Sequence, residues 1–181
     1  MNTPPNAKSI YARGADCGLW LGLCFIAIFL LSALSLRYPL LNIGALAAAI
    51  AVPVISYRFL RRTHTDAHGL TTFSALWLQG IVMFACGALL MGAVAFVYMR
   101  FINPGFIAQI FQAAADYYSD FGTPEGDELA TQIGNIIKHH RLPRISDFVL
   151  MWIWGTVFSG SVLCMILAAV ARSRRIPPPL K

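Results

Sequence analysis

Charged side chains are scarce in this sequence, and their scarcity excludes an ordinary soluble domain. Only 12% of the 181 residues are Asp, Glu, Lys or Arg, whereas soluble domains have about 25%. Residues 73–98 contain no charged side chain at all. At about 1.5 Å per residue, a helix over Leu76–Met99 is long enough to cross a hydrocarbon core of ~30 Å. The sequence therefore predicts a membrane protein.

The apolar residues form four long blocks, which predict an all-α membrane protein with four transmembrane helices. The expected spans are residues 17–36, 40–59, 75–99 and 148–171 of a single domain, 1–181. The first block is longer than the apolar region of a signal peptide and leads directly into the second, so we expect it to be retained.

Residues 105–140, between the third and fourth spans, predict a cap of two amphipathic helices on one membrane face. Apolar residues recur at helical spacing on both sides of a Gly122-Thr-Pro124 turn, and short amphipathic helices are typical of the membrane interface. The candidate contacts to lipid or to a partner are Phe106, Ile110, Phe111, His139 and His140. The two histidines can serve as a pH-sensitive or lipid-binding pair, or simply as an interfacial cluster.

The basic residues are divided unequally between the two sides of the predicted membrane. One side has nine: Lys8, Arg13, Arg58, Arg61, Arg62, Arg172, Arg174, Arg175 and Lys181. The other has five, spread over longer sequence: Arg37, Arg100, Lys138, Arg141 and Arg144. Because short cytoplasmic loops are enriched in Lys and Arg, we expect both termini in the cytoplasm and the cap on the extracytoplasmic side. No basic stripe alternates with aromatics, so nucleic acid is not an expected partner.

Small residues recur at spacings that favour close helix packing. Gly14, Gly18 and Gly22 share one helix face, and Ala88 and Gly92 are similarly spaced in the third span. Such faces allow two helices to approach closely. The first face can pack inside the bundle or join two copies of the chain.

The second span contains further small residues suited to close packing: Gly44, Ala45, Ala48, Ala49 and Ala51. Pro53 lies within the same block and predicts a kink, because proline cannot donate the helical hydrogen bond.

No cysteine pattern predicts a disulfide or a metal site. Cys17, Cys24, Cys86 and Cys164 form no Cys-x-x-Cys pair. An alternative set of metal ligands is the run His64, Asp66, His68. Two histidines four residues apart can share a metal on a helix, but no third strong ligand is adjacent. A solvated cytoplasmic loop is the simpler interpretation, and no cofactor is predicted.

Ionisable residues are absent from the middle of every predicted span, which argues against ion coupling. The most prominent polar residue within a span is Gln79. Its amide can hydrogen-bond a neighbouring helix, or it can lie at headgroup level and need no protein partner. No nucleophile–base pair or glycine-rich phosphate loop can be assembled, so the sequence does not predict an enzyme.

Three sequence segments resemble the pattern of a known family. They are Tyr57-Arg58 with Arg61-Arg62, Gly69-Leu-Thr-Thr-Phe73, and the exit from span three, Tyr98-Met-Arg-Phe-Ile-Asn-Pro-Gly-Phe106. Over nearly its whole length the chain resembles an uncharacterised bacterial domain-of-unknown-function family of four-span inner-membrane proteins, common in the Bacteroidota. Asn103 stands where that pattern has Asp. The resemblance implies the four-span architecture and, through frequent gene proximity to a polyprenyl-phosphate glycosyltransferase, an envelope pathway.

Two functions are compatible with these features. The first is a non-enzymatic scaffold or accessory subunit that binds membrane lipid or another membrane protein. The second is a small oligomeric carrier of lipid or polyprenyl-linked molecules in envelope metabolism. Co-purification distinguishes them: a stable partner protein supports the scaffold, and a homo-oligomer with bound lipid supports the carrier.

Overall fold

The computed structural model of the chain describes residues 9–67, 70–120, 122–139 and 142–173. This part of the chain is helical and contains no β-strand, as predicted. The six helices are α1 (Ile10–Ser35), α2 (Leu41–Asp66), α3 (Phe73–Val97), α4 (Phe106–Ser119), α5 (Pro124–Lys138) and α6 (Ile145–Ser173). A π-helical turn, Tyr98–Ile102, extends α3 at its C-terminal end.

Helices α1, α2, α6 and α3 with its π-turn are long and apolar enough to cross a membrane. The prediction of a multi-pass membrane protein with four spanning helices is therefore confirmed at this level. The helices are longer than several of the apolar blocks. Helix α1 begins at Ile10 because the Ser9 hydroxyl accepts a hydrogen bond from the Ala12 amide at 3.2 Å, an N-terminal cap.

The four spanning helices form a bundle in which α3 packs against α1 and α6. Helix α2 also packs against α1 and α6 and lies diagonally opposite α3. Because consecutive helices run antiparallel, the start of α1 and the end of α6 lie at one end of the bundle, called here the termini end. The opposite end, from which α4 and α5 emerge, is called the cap end.

Helices α1 and α3 approach each other through glycine. A Cβ atom added to Gly18 would lie 2.7 Å from the Cβ of Cys86 and 2.9 Å from the carbonyl oxygen of Met83. One added to Gly22 would lie 3.2 Å from the Cα of Gly87. At these distances only glycine fits, so backbone packs almost directly on backbone.

Helices α3 and α6 meet through a second set of glycines. A Cβ on Gly80 would lie 2.5 Å from the Cβ of Cys164, and one on Gly160 would overlap the ring of Phe84. Gly92 similarly faces Ile153. Helix α3 is therefore packed closely on both sides.

The small residues of α2 are not used in the same way. Ala45 is buried, but Gly44 and Ala49 are exposed, and a Cβ on Gly44 would meet only Leu31, at 3.8 Å. The expectation that this set mediates close packing is thus wrong for Gly44 and Ala49.

The cap consists of α4 and α5, which form a helical hairpin. Its attachment to the bundle is the first turn of α4, where Phe106 and Ile107 are buried in a core cluster with residues of α1, α3 and α6. An aromatic cluster holds this joint: the ring of Phe29 lies 5.5 Å from Tyr98, 5.9 Å from Phe106 and 5.6 Å from Trp152, all at steep angles. Such edge-to-face contacts stabilise a packed core.

Candidate functional site

An apolar cavity of about 460 Å³ lies within the spanning bundle, among α1, α2, α3 and α6. This volume falls in the range of about 300–1,000 Å³ typical of ligand pockets. Aromatic and aliphatic side chains form most of its wall. The lining residues are Phe25, Ile28, Phe29, Ala49, Val52, Pro53, Phe84, Met91, Trp152, Thr156, Ser159, Gly160 and Leu163.

The cavity borders α2 at its proline. Pro53 lies inside that helix and has no N–H to offer the carbonyl of Ala49, and both residues line the cavity. The break in the helical hydrogen bonding therefore lies at the wall of the cavity.

The hydroxyl groups of the cavity are already hydrogen-bonded to the backbone. Thr156 Oγ1 donates to the carbonyl of Trp152 at 2.9 Å, and Ser159 Oγ donates to the carbonyl of Thr156 at 3.3 Å. An apolar ligand would therefore leave neither hydroxyl without a partner. Burial of unpaired polar groups, which is costly, is avoided.

The cavity opens between the middle of α2 and the middle of α6. Ala49 and Ser159 line it and are exposed, whereas Phe29 and Phe84 at its inner wall are buried. In a chain that crosses a membrane four times, such an opening faces the hydrocarbon layer. None of the lining side chains is ionisable, so the wall can bind an apolar chain but has no group that exchanges protons near neutral pH.

Polar side chains form a separate layer between α2 and α3, nearer the termini end. Gln79 is fully buried and donates from Nε2 to Thr63 Oγ1 at 2.9 Å. Of the two possibilities left by the sequence, the structure shows the hydrogen bond to a neighbouring helix. Gln79 Oε1 and the hydroxyl of Ser56 are buried without a partner among the described residues. This layer joins two helices that otherwise share few contacts.

The His64, Asp66, His68 run does not form a loop over its first part. Helix α2 continues through Asp66, and His64 is buried with Nδ1 hydrogen-bonded to Thr71 Oγ1. The expected solvated loop is therefore replaced by helix at these positions, because the polar side chains have protein partners. Asp66 pairs with Arg13, and His68 lies outside the described residues. Within the described ranges no three His, Cys, Asp or Glu side chains converge on a metal site.

The residues expected to mediate helix packing all lie at interfaces within the chain. Gly14, Gly18 and Gly22 are buried and face α3, the first of them toward Val82. Ala88 is fully buried in α3, and Gly92 faces α6. These faces are therefore occupied by the chain's own helices.

The residues expected to contact lipid or a partner differ in their exposure. Phe106 is only 2% exposed and contacts Phe29 and Tyr98, so it offers no outer surface. Ile110 and Phe111 are half-buried beside the same cluster. His139 is exposed, with Nδ1 2.8 Å from the carbonyl of Asn135. His140 lies outside the described residues.

Sequence reasoning missed the cavity itself. The nearest available signal was Pro53, together with aromatic residues at helical spacing in the first span, Phe25 and Phe29. Neither predicts a cavity alone, because the space depends on how side chains from four helices far apart in the sequence are arranged.

Comparison with known proteins identifies the family without identifying an activity. A family model described as "Protein of unknown function (DUF4199)" matches residues 16–173, which include most of α1, the other three spanning helices and the cap. No curated protein and no solved structure matches the chain. The chain therefore belongs to the DUF4199 family.

Proposed function

We propose that this protein is a non-enzymatic lipid-binding protein of a bacterial inner membrane, and that its cavity accommodates the hydrocarbon chain of a membrane lipid or polyprenyl-linked molecule. The observation that carries this proposal is the apolar cavity, which has no ionisable side chain in its lining and opens between Ala49 and Ser159. An opening at this depth gives a lipid chain direct lateral entry from the membrane.

The chemistry of the wall favours binding over catalysis. Acid–base or nucleophilic catalysis requires titratable or activated side chains beside the ligand. The two side-chain hydroxyls that line the cavity, Thr156 and Ser159, donate to backbone carbonyls of their own helix. The protein is thus suited to hold or pass on an apolar chain, as an accessory or carrier protein of envelope metabolism would.

The proposed orientation has both termini in the cytoplasm and the cap outside. Its support is the concentration of basic residues at the termini end, including Arg58, Arg61 and Arg62 near the end of α2. Reporter fusions at the Gly122 turn and at the C-terminus test it. A cytoplasmic reporter signal from the Gly122 turn would contradict this orientation.

Photo-crosslinking tests the proposed lipid chain. The full chain is placed in nanodiscs that contain a phospholipid with a diazirine on one acyl chain, and labelled residues are located by mass spectrometry. We expect labelling of Phe25, Met91 or Leu163 inside the cavity, in addition to the exposed Phe158 and Met165 on the outside of α6.

The decisive test is a variant in which larger side chains fill the opening of the cavity. Ala49→Phe with Ser159→Phe should abolish labelling inside the cavity and leave labelling of Phe158 unchanged. The matched control is Leu46→Phe with Val162→Phe, at exposed positions of the same two helices that do not line the cavity. Labelling confined to the outer surface of wild type, or equal effects of both double variants, would reject the proposed site.

A scaffold that binds another membrane protein is the second candidate, favoured by the cap. Helix α5 carries an apolar stripe that α4 covers only in part: Leu129 is exposed, and Ile133, Ile136 and Ile137 are half-buried. The glycine faces are occupied within the chain, so a partner or a second copy would require another surface, and this stripe is available. The proposed partners are therefore membrane lipid first and a membrane protein or second copy at the cap.

Purification in mild detergent separates the two candidates. Bound lipid with no stoichiometric partner supports the carrier, whereas a stable partner protein supports the scaffold. Leu129→Asn with Ile133→Asn should release such a partner and leave the amount of bound lipid unchanged. If the partner remains bound to this variant, the cap stripe is not its binding surface.

A further inference from the structure

A second, charged cleft of about 340 Å³ lies between the start of α1 and the end of α2. It shares no lining residue with the apolar cavity. Two arginines, two aspartates and two aromatic residues contribute to its lining. The lining residues are Arg13, Asp16, Cys17, Trp20, Phe59, Arg62, Thr63 and Asp66.

The ion pair in this cleft is loose. Arg13 Nη1 lies 3.6 Å from Asp66 Oδ2, and the two side chains are 31% and 50% exposed. A pair this long and this exposed contributes little to stability. A guanidinium has five N–H donors and a carboxylate has about four acceptor sites, so each group retains capacity for a ligand.

The cleft lies at the depth expected for lipid headgroups. Arg13 is in the first turn of α1, and Asp66 is the last residue of α2. The ring of Trp20, two turns further into α1, is 64% exposed. Arginine and tryptophan at the ends of spanning helices are typical of the membrane interface, so a ligand here would have its polar part at the cleft and its chains alongside Trp20 and Phe59.

The charges of the cleft balance, and this balance selects the ligand class. Two guanidinium groups suit a phosphate diester, because arginine binds phosphate oxygens through paired N–H groups. The negative charge of the aspartates would repel a purely anionic headgroup, and the loosely paired carboxylate of Asp66 would accept hydrogen bonds from a primary ammonium group. A phosphate and an ammonium joined by a short linker therefore match this cleft.

We propose that this cleft binds the phosphoethanolamine headgroup of a zwitterionic phospholipid, with Arg13 and Arg62 at the phosphate and Asp66 at the ammonium. Asp16 lies in the lining of the same cleft. A phosphocholine headgroup has the same charges but no N–H donor, so it satisfies the arginines and not the carboxylates. The site is independent of the proposed chain-binding cavity, since neither requires the other to be occupied.

Lipid titration monitored by native mass spectrometry tests the headgroup preference. The full chain in detergent is titrated separately with phosphatidylethanolamine, phosphatidylcholine and phosphatidylglycerol of identical acyl chains. We expect phosphatidylethanolamine to bind about tenfold more tightly than either of the others, the equivalent of one charge-assisted hydrogen bond. Equal affinity for the ethanolamine and choline lipids would overturn the proposal.

Two charge-removing variants test the assigned roles. Arg62→Gln should weaken the binding of phosphatidylethanolamine about tenfold. Asp66→Asn should reverse the preference toward phosphatidylglycerol, because it leaves a net positive cleft. The controls are Arg58→Gln, at an exposed position of α2 outside the cleft, and Asp147→Asn, at the cap end. An unchanged preference in Asp66→Asn, with thermal unfolding like that of wild type, would overturn the assignment.

A water-soluble competitor identifies the source of the headgroup. Glycerophosphoethanolamine has the same phosphate and ammonium groups but no acyl chains. If glycerophosphoethanolamine displaces phosphatidylethanolamine only at concentrations far above those of the lipid, the ligand is a lipid. If it binds as tightly as the lipid does, the proposal of a lipid ligand is overturned. Ala49→Phe with Ser159→Phe should leave the headgroup preference intact, so failure of the cavity and failure of the cleft give different results.

Discussion

The two sides of α3 and the inner side of α2 show contrasting ways of packing helices in one bundle. Where α3 packs against α1 and α6, a Cβ added to Gly18 of α1 or to Gly80 of α3 would come within 2.9 Å of backbone or side-chain atoms of the facing helix. Beside α2, by contrast, the bundle has an apolar cavity and a buried polar pair, Gln79 with Thr63. The comparison teaches that small residues do not by themselves produce close helix packing, because α2 is also rich in them and yet a Cβ on its Gly44 would meet only Leu31, at 3.8 Å.

The largest expected loss of stability follows from Gly18→Ala. Its Cβ would meet the carbonyl oxygen of Met83, and a backbone atom in the middle of a packed helix cannot move aside. We expect the free energy of unfolding to fall by about 3 kcal/mol, the upper part of the range for overpacking. Unfolding by denaturing detergent, followed by circular dichroism, provides the measurement.

The control for this variant is Gly44→Ala in α2, where the nearest atom would be 3.8 Å away. Its effect should be smaller than about 0.5 kcal/mol. Equal losses in the two variants would show that the close α1–α3 contact is not distinctive.

Gly160→Ala should have the next largest effect, because it acts at the boundary between the tight contact and the cavity. The new methyl group would overlap the ring of Phe84, which also lines the cavity and can move into it. We expect a loss of about 1–2 kcal/mol, together with weaker lipid-chain labelling inside the cavity.

Gly155→Ala on the same helix is the matched control, since no atom lies within 4 Å of its new Cβ. Adding Phe84→Leu to Gly160→Ala should recover part of the lost stability. No recovery in this double variant would mean that the ring is not the source of the strain.

Thr63→Val should lower the free energy of unfolding by about 1 kcal/mol, since the buried Nε2 of Gln79 would lose its hydrogen-bond acceptor. Adding Gln79→Leu should restore part of this loss, because the amide, whose Oε1 already lacks a partner, would be removed entirely. Thr65→Val, at an exposed position on the same helix, should have little effect. A double variant less stable than Thr63→Val alone would contradict this account.

The smallest effect is expected for Ser159→Ala at the cavity opening. Its hydroxyl donates only to the carbonyl of Thr156 and is exposed, so the change in stability should be below about 0.5 kcal/mol. Lipid-chain labelling inside the cavity should also be unchanged, in contrast to the variant with phenylalanine at this position. Reduced labelling in Ser159→Ala would indicate that the hydroxyl itself binds the ligand.

Local signals in the sequence predicted much of the fold. Apolar block length predicted the four spanning helices, and the Gly122-Thr-Pro124 turn predicted the separation of α4 from α5. At the start of α5 the Thr123 hydroxyl accepts a hydrogen bond from the Gly126 amide at 3.2 Å. By its position near the start of the third span, Trp77 is typical of an interfacial anchor, whereas in the structure its Nε1 donates to the carbonyl of Ser161 in α6. Such a long-range partner has no local signal, because it depends on how two distant helices are brought together.

By itself the sequence determined the membrane class, the number of spanning helices, the hairpin of the cap and the family. These follow from the length of apolar runs, the periodicity of side chains and the chemistry of caps, all of which act within about one or two helical turns. Tertiary structure alone decided which faces pack closely, that Phe106 is buried, that Gln79 pairs with Thr63, and that a cavity and a charged cleft lie on α2. Those features depend on distances between helices far apart in the chain, and no local pattern records them.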